Sequence, residues 1–146
     1  MRLLDLTAAQ EFFSAQAALP SMVYVGGSPE AADAGSRLGV PSNHVVAAYR
    51  RAIRGFFLSA AVFTPHELRI SGALLSTHQA PPGSPGGAFR TVALDQIAEV
   101  RPGFEIAEIV LRSGERVRLH GDLNAFLRLC VECGREAGPS VALSNH

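Results

Sequence analysis

Polar and apolar residues alternate most regularly in the last third of the chain. Residues 90–100 (RTVALDQIAEV), 105–111 (EIAEIVL) and 116–119 (RVRL) carry apolar side chains at a spacing of two, the period of a half-buried strand. After them Leu123, Phe126, Leu127 and Cys130 recur at the spacing of one helix face. The pattern predicts strand, strand, tight turn, strand and one closing helix. Asp122 is its expected N-cap and Gly138-Pro139 its stop. Parity sets the expected turn. A two-residue loop would place Leu111 opposite Arg116, whereas a three-residue loop, Ser113-Gly114-Glu115, pairs Leu111 with Val117 and Ile109 with Leu119. The other face then carries Val110, Arg112, Arg116 and Arg118, with Arg112 opposite Arg116.

Earlier segments have a different texture. Thr7 and Gln10 fit a capping box and predict a helix over 8–18 that stops before Pro20. Ser28 as N-cap and Pro29 in the first turn predict a second helix over 30–38, ended by Gly39 and Pro41. Residues 1–43 are therefore expected as a helical N-terminal extension. From His44 onward, residues 45–54 and 56–63 are rich in β-formers and lack helix caps. Thr64-Pro65-His66 marks a turn. Residues 67–71 alternate with Leu68 and Ile70 inward, and a further short strand is expected over 73–77. The Pro- and Gly-rich residues 80–87 are expected as a loop, and 139–146 as a flexible tail.

Composition narrows the function classes. A chain of 146 residues with 47% hydrophobic and 18% charged residues buries a core without needing disulfides or metal. Thirteen basic and 13 acidic residues balance, so no basic field exists to displace phosphate counterions, and nucleic acid is not an expected partner. All 13 basic residues are Arg, which excludes a Schiff-base or P-loop lysine. Asp5 interrupts the apolar start and the longest apolar run, over 56–63, is far below the ~20 residues of a membrane helix. The expected compartment is the cytoplasm.

With these elements placed, residues from about Val45 to Glu136 resemble a bacterial pleckstrin-homology-like (PH-like) domain of the GRAM-like and short bacterial groups. The resembling features are Thr64-x-x-x-Leu68-x-Ile70, Val92-x-Leu94-Asp95-Gln96-Ile97-x-x-Val100, the Ser113-Gly114 hairpin and the helix from Asp122. The resemblance implies an α+β fold: a bent antiparallel sheet or partial barrel of seven strands, capped by one C-terminal helix. The N-terminal extension lies before this domain, which is taken as 44–138. It also implies a non-catalytic adaptor that binds lipid headgroups, peptides or its own copies. Arg50-Arg51-x-x-Arg54 partly echoes the basic cluster of lipid-binding members.

Candidate chemistry is sparse. Cys130-Val-Glu-Cys133 sits well inside a predicted helix, away from the N-terminal dipole that lowers a redox thiol's pKa, so Cys130 is expected in the core and Cys133 at the edge of the apolar stripe. His44, His66, His78, His120 and His146 share no metal or acid–base spacing. No catalytic residue, cofactor or metal is expected. The sharpest lead is Arg112, Arg116 and Arg118, because like charges on one strand face need offsetting acids, here Glu108 and Glu115, or a bound anion. Arg50 and Arg54 form a second, similar candidate. The expected partners are a protein, a second copy through free strand edges, an anionic lipid headgroup or an acidic peptide. The alternative is a small enzyme or sensor with an apolar pocket between the sheet and the N-terminal helices. That predicts a deep cavity with convergent polar groups, whereas an interaction module predicts a filled core and an exposed edge or apolar patch.

Overall fold

Residues 47–63 hold two strands, β2 (Ala47–Ile53) and β3 (Phe56–Phe63), whose inner halves are buried almost without interruption. Burial on both faces explains why they lack alternation. One face meets helix α2 (Pro29–Arg37), where Ala31, Ala34 and Leu38 pack on Val45, Ala48, Ala60 and Val62. The opposite face, with Ala47, Tyr49, Ala61 and Phe63, belongs to the main core.

The computed structural model describes residues 1, 3–76 and 89–137. It is α+β, with eight strands in two antiparallel sheets among the described residues. The first sheet runs β1-β2-β3-β4-β5, adding β1 (Val23–Val25), β4 (Glu67–Ser71) and β5 (Phe89–Ala93). The second runs β6-β7-β8, from β6 (Ile97–Arg101), β7 (Ile106–Leu111) and β8 (Arg116–His120). Helices α1 (Leu6–Ser14) and α3 (Asn124–Glu136) pack against each other and close the core shared by both sheets. Phe13, Phe63, Phe126, Leu94 and Ile109 are among its fully buried side chains. The 80–87 loop, the Gly138-Pro139 stop and the tail lie outside the described residues.

Several expectations are corrected. Helix α1 is capped by Asp5, whose carboxylate accepts from Ala8 N at 2.9 Å, rather than by Thr7. Gln10 makes no capping box, because its amide donates to the Val45 carbonyl at 3.2 Å. The helix stops at Ser14, short of residue 18, and Gln16 turns back to donate to the Phe12 carbonyl. Residues 23–25, within the expected helical extension, form β1 and pair with β2 through Val23 and Tyr49. In place of a strand over 73–77, a 3₁₀ turn at Gly72–Leu74 precedes a single bridge from Leu75 to Leu119, and Thr77 lies outside the described residues.

The stretch 90–100 is two strands in two sheets, not one. Val92 and Leu94 share a parity that Ile97 does not, yet all three are buried. A 3₁₀ turn at Leu94–Gln96 absorbs the mismatch, anchored where Leu94 N donates to the His66 carbonyl at 2.8 Å. The β7–β8 hairpin also differs. Ile109 pairs with Val117 and Ala107 with Leu119, a shift of two residues from the expected register. Such a shift preserves parity, so Ile109, Val117 and Leu119 still share the buried face, with Ala107 beside them. Its consequence is that Arg112 does not oppose Arg116. Finally, Asp122 does not cap α3. It sits in a 3₁₀ turn at Gly121–Leu123, and its N–H donates to His120 Nδ1. The stripe of Leu123, Phe126, Leu127 and Cys130 is buried as expected.

Candidate functional site

The arginine face of the second sheet is knitted into the fold. In the observed register Arg118 lies opposite Glu108, and its Nε donates to Glu108 Oε2 at 3.2 Å. Arg116 lies opposite Val110 and is also engaged within the chain. Arg112 turns away and donates to the Asp95 carbonyl at 2.7 Å. Glu115, expected to offset this face, instead accepts from Arg90 at 2.7 Å. The three arginines are therefore not gathered on one convergent point.

Arg50 and Arg54 also part company. Arg50 donates to Asp33 on α2 at 2.8 Å, and Asp33 accepts from Arg37 as well at 3.1 Å. Slight burial pushes the Asp33 carboxyl up, but the two guanidinium hydrogen bonds outweigh it and hold the pKa below the usual range. Arg37 and Arg50 also flank the Phe57 ring, at 4.3 and 5.9 Å from its centroid. Arg54 occupies the two-residue β2–β3 turn with Gly55, at φ of 51° and 82°. Positive φ at both positions is the turn that matches strand twist, and Gly55 adopts it freely, whereas Arg54 is strained there.

The thiols and imidazoles behave as core and surface groups. Cys130 and Cys133 are free and buried, with Cys133 Sγ 3.9 Å from the Ala9 carbonyl oxygen. Burial raises the Cys130 thiol pKa and, with Glu136 nearby, pushes Cys133 up to about 12. Neither has thiolate character at neutral pH. Among the described residues no three metal-capable side chains cluster. His44 and His66 line a groove of about 270 Å³ with Leu4, Asp5, Thr64 and Arg69. Three of its polar side chains serve the fold: Asp5 caps α1, Thr64 Oγ1 accepts from the His66 and Glu67 amides, and Arg69 donates to Glu67 and to the Leu38 carbonyl.

The structure draws attention elsewhere, to apolar side chains held in water by tight turns. Beside the Arg54-Gly55 turn, Ile53 is 52% and Phe56 75% exposed, with Leu58 also exposed. Between β6 and β7, Phe104 is 97% exposed, and Ile106 at the start of β7 is half exposed. Leaving a phenylalanine in water forgoes about 1.5–3 kcal/mol of burial, so Phe56 and Phe104 stand out among the exposed apolar positions. Arg51, beside the hairpin tip, reaches Asp122 at 3.6 Å, and Gly121 N donates to the Glu105 carbonyl, so the two exposed turns flank the start of α3. Sequence patterning passed over both. The available signal was an aromatic residue placed directly after Arg54-Gly55 or inside Pro102-Gly103-Phe104, where no strand or helix period carries it inward.

Comparison with family models, with curated proteins and with solved structures gives no match to this chain. Among the described residues no helix is long and apolar enough to cross a membrane.

Proposed function

We propose that the chain is a non-catalytic, cytoplasmic interaction module of the PH-like type, working through exposed turns rather than an enclosed pocket. The PH-like assignment is supported by the order of elements. Strands β2 to β5 form a four-stranded antiparallel run, β6 to β8 a three-stranded one, and α3 follows as the closing helix. The interaction role rests on one observation: the β2–β3 hairpin tip presents Ile53 and Phe56 to water on either side of an exposed, strained Arg54. A residue kept in a costly backbone conformation points to a use for its side chain. An apolar pair around a cation suits a protein surface carrying an apolar patch and an acid, or an anionic headgroup layer.

Replacing Phe56 with a photo-crosslinking phenylalanine derivative tests this in cells that make the protein. Position 56 should give a discrete adduct, while the same group at exposed Arg135 gives none. No adduct at 56, or equal diffuse labelling at both, would count against the interaction role.

A further inference from the structure

Phe104 is not merely exposed; it is held out. The Asn124 side chain, at the start of α3, donates through Nδ2 to the Gly103 carbonyl and accepts from Gly103 N at 3.3 Å. Gly121 N donates to the Glu105 carbonyl at 2.9 Å. A Cβ on Gly103 would fall 2.1 Å from the Ile106 carbonyl oxygen, so only glycine allows this closure. The loop is thereby clamped on both sides of an aromatic ring that touches almost nothing of its own chain.

Pro102 of the same loop also helps line a small hollow of about 110 Å³, with Val100, Leu127, Val131, Asn124 and Arg128. Its wall is almost entirely apolar, since the Asn124 amide is occupied by Gly103. An apolar cavity of roughly 150 Å³ accepts a benzene molecule, so a half-open hollow of this size suits the outer part of a phenyl ring. The chain cannot use its own ring for this, because Phe104 stands 97% in water. The charges around knob and hollow are complementary too. Glu105 follows Phe104, and Arg128 stands at the hollow's rim. Both are exposed, and neither has an ion-pair partner among the described residues.

We infer that the occupant is a second copy of this chain, paired about a two-fold axis with each Phe104 seated in the other's Val100–Pro102–Leu127–Val131 hollow and each Glu105 beside the other's Arg128. A knob and a hollow side by side on one surface are what an isologous contact requires, since each side both gives and receives. This inference rests on the proposed interaction role and names a partner for it. Two buried rings with their rims lie at the small end of interfaces, so the dimer is reversible, with Kd on the order of 10–100 µM.

Sedimentation equilibrium of the full chain between ~1 µM and ~1 mM tests it. The expected result is a monomer–dimer equilibrium in which Phe104→Ser raises Kd at least about tenfold. Glu105→Arg and Arg128→Glu should each weaken pairing several-fold, while the double variant, which restores opposite charges across the axis, recovers to within about threefold of the parent. All three substitutions are at exposed positions, and unchanged circular dichroism would exclude misfolding. A chain that stays monomeric throughout, a dimer indifferent to Phe104→Ser, or a charge-swapped double variant no better than the singles would each overturn the pairing. If the chain is monomeric yet position 56 still crosslinks to a different protein, the self-pairing falls while the interaction role stands.

Discussion

Asp33 shows how Arg50, one of the arginines singled out in the sequence, is engaged within the fold. Its carboxylate ties Arg50 on β2 to Arg37 on α2 and so clamps the helix to the sheet. Because the Asp33 pKa is lowered in the folded state, its stabilisation is present above the unfolded carboxylate range and disappears as pH falls through the folded value. The side chain is 37% exposed, so solvent screening limits the contribution to about 0.5–1 kcal/mol. Asp33→Asn should therefore lower the unfolding free energy from urea titration at pH 7 by about 0.5–1 kcal/mol, and the gap to the parent should close as pH falls through the folded Asp33 value. An undiminished gap at low pH would show that the loss comes from packing rather than charge. The buried thiols give the opposite sign: the Cys133 contribution is complete below about pH 9 and is lost as pH rises toward 12.

At the scale of elements, the β2–β3 hairpin carries the sharpest conflict between local stability and exposure. A side chain other than Gly or Asn in the left-handed region costs about 1–2 kcal/mol. Arg54→Asn keeps a polar residue that tolerates this conformation, so it should raise thermal stability by about 0.5–1 kcal/mol while weakening crosslinking at position 56. Lower stability in the variant would mean that the guanidinium is held by contacts of its own. The neighbouring elements show what patterning conveys. The burial stripe of α3 and the inward face of β7 and β8 were legible because a period of 3.6 or 2 survives a shift of register. The register itself was not, because pairings two residues apart place the same side chains on the same face. The corner between β5 and β6 was written in the parity break between Leu94 and Ile97, which a single long strand cannot satisfy.

For the whole molecule, the first sheet is covered on both faces, by α2 on one side and by the core it shares with the second sheet, α1 and α3 on the other. That arrangement explains the near-continuous apolar runs in β2 and β3, and it leaves exposed apolar residues chiefly at turns. Among the arginines singled out by sequence, Arg118 is offset by Glu108 as expected, but Asp33 and the Asp95 carbonyl reach Arg50 and Arg112 from other elements, which no one-dimensional pattern contains. The exposed rings were missed for the converse reason, since an aromatic residue in a turn gives no periodic signal. Hydroxyl-radical footprinting of the protein, alone at submicromolar concentration and in its native cell extract, weighs the turns against the groove directly. In isolation Phe56 and Phe104 should oxidise fast. In the extract Phe56 should be protected several-fold, with His44 and His66 unchanged, while Phe104 stays reactive at concentrations below the self-pairing Kd. Protection of the two histidines with Phe56 still fully reactive would contradict the account and move the function into the groove.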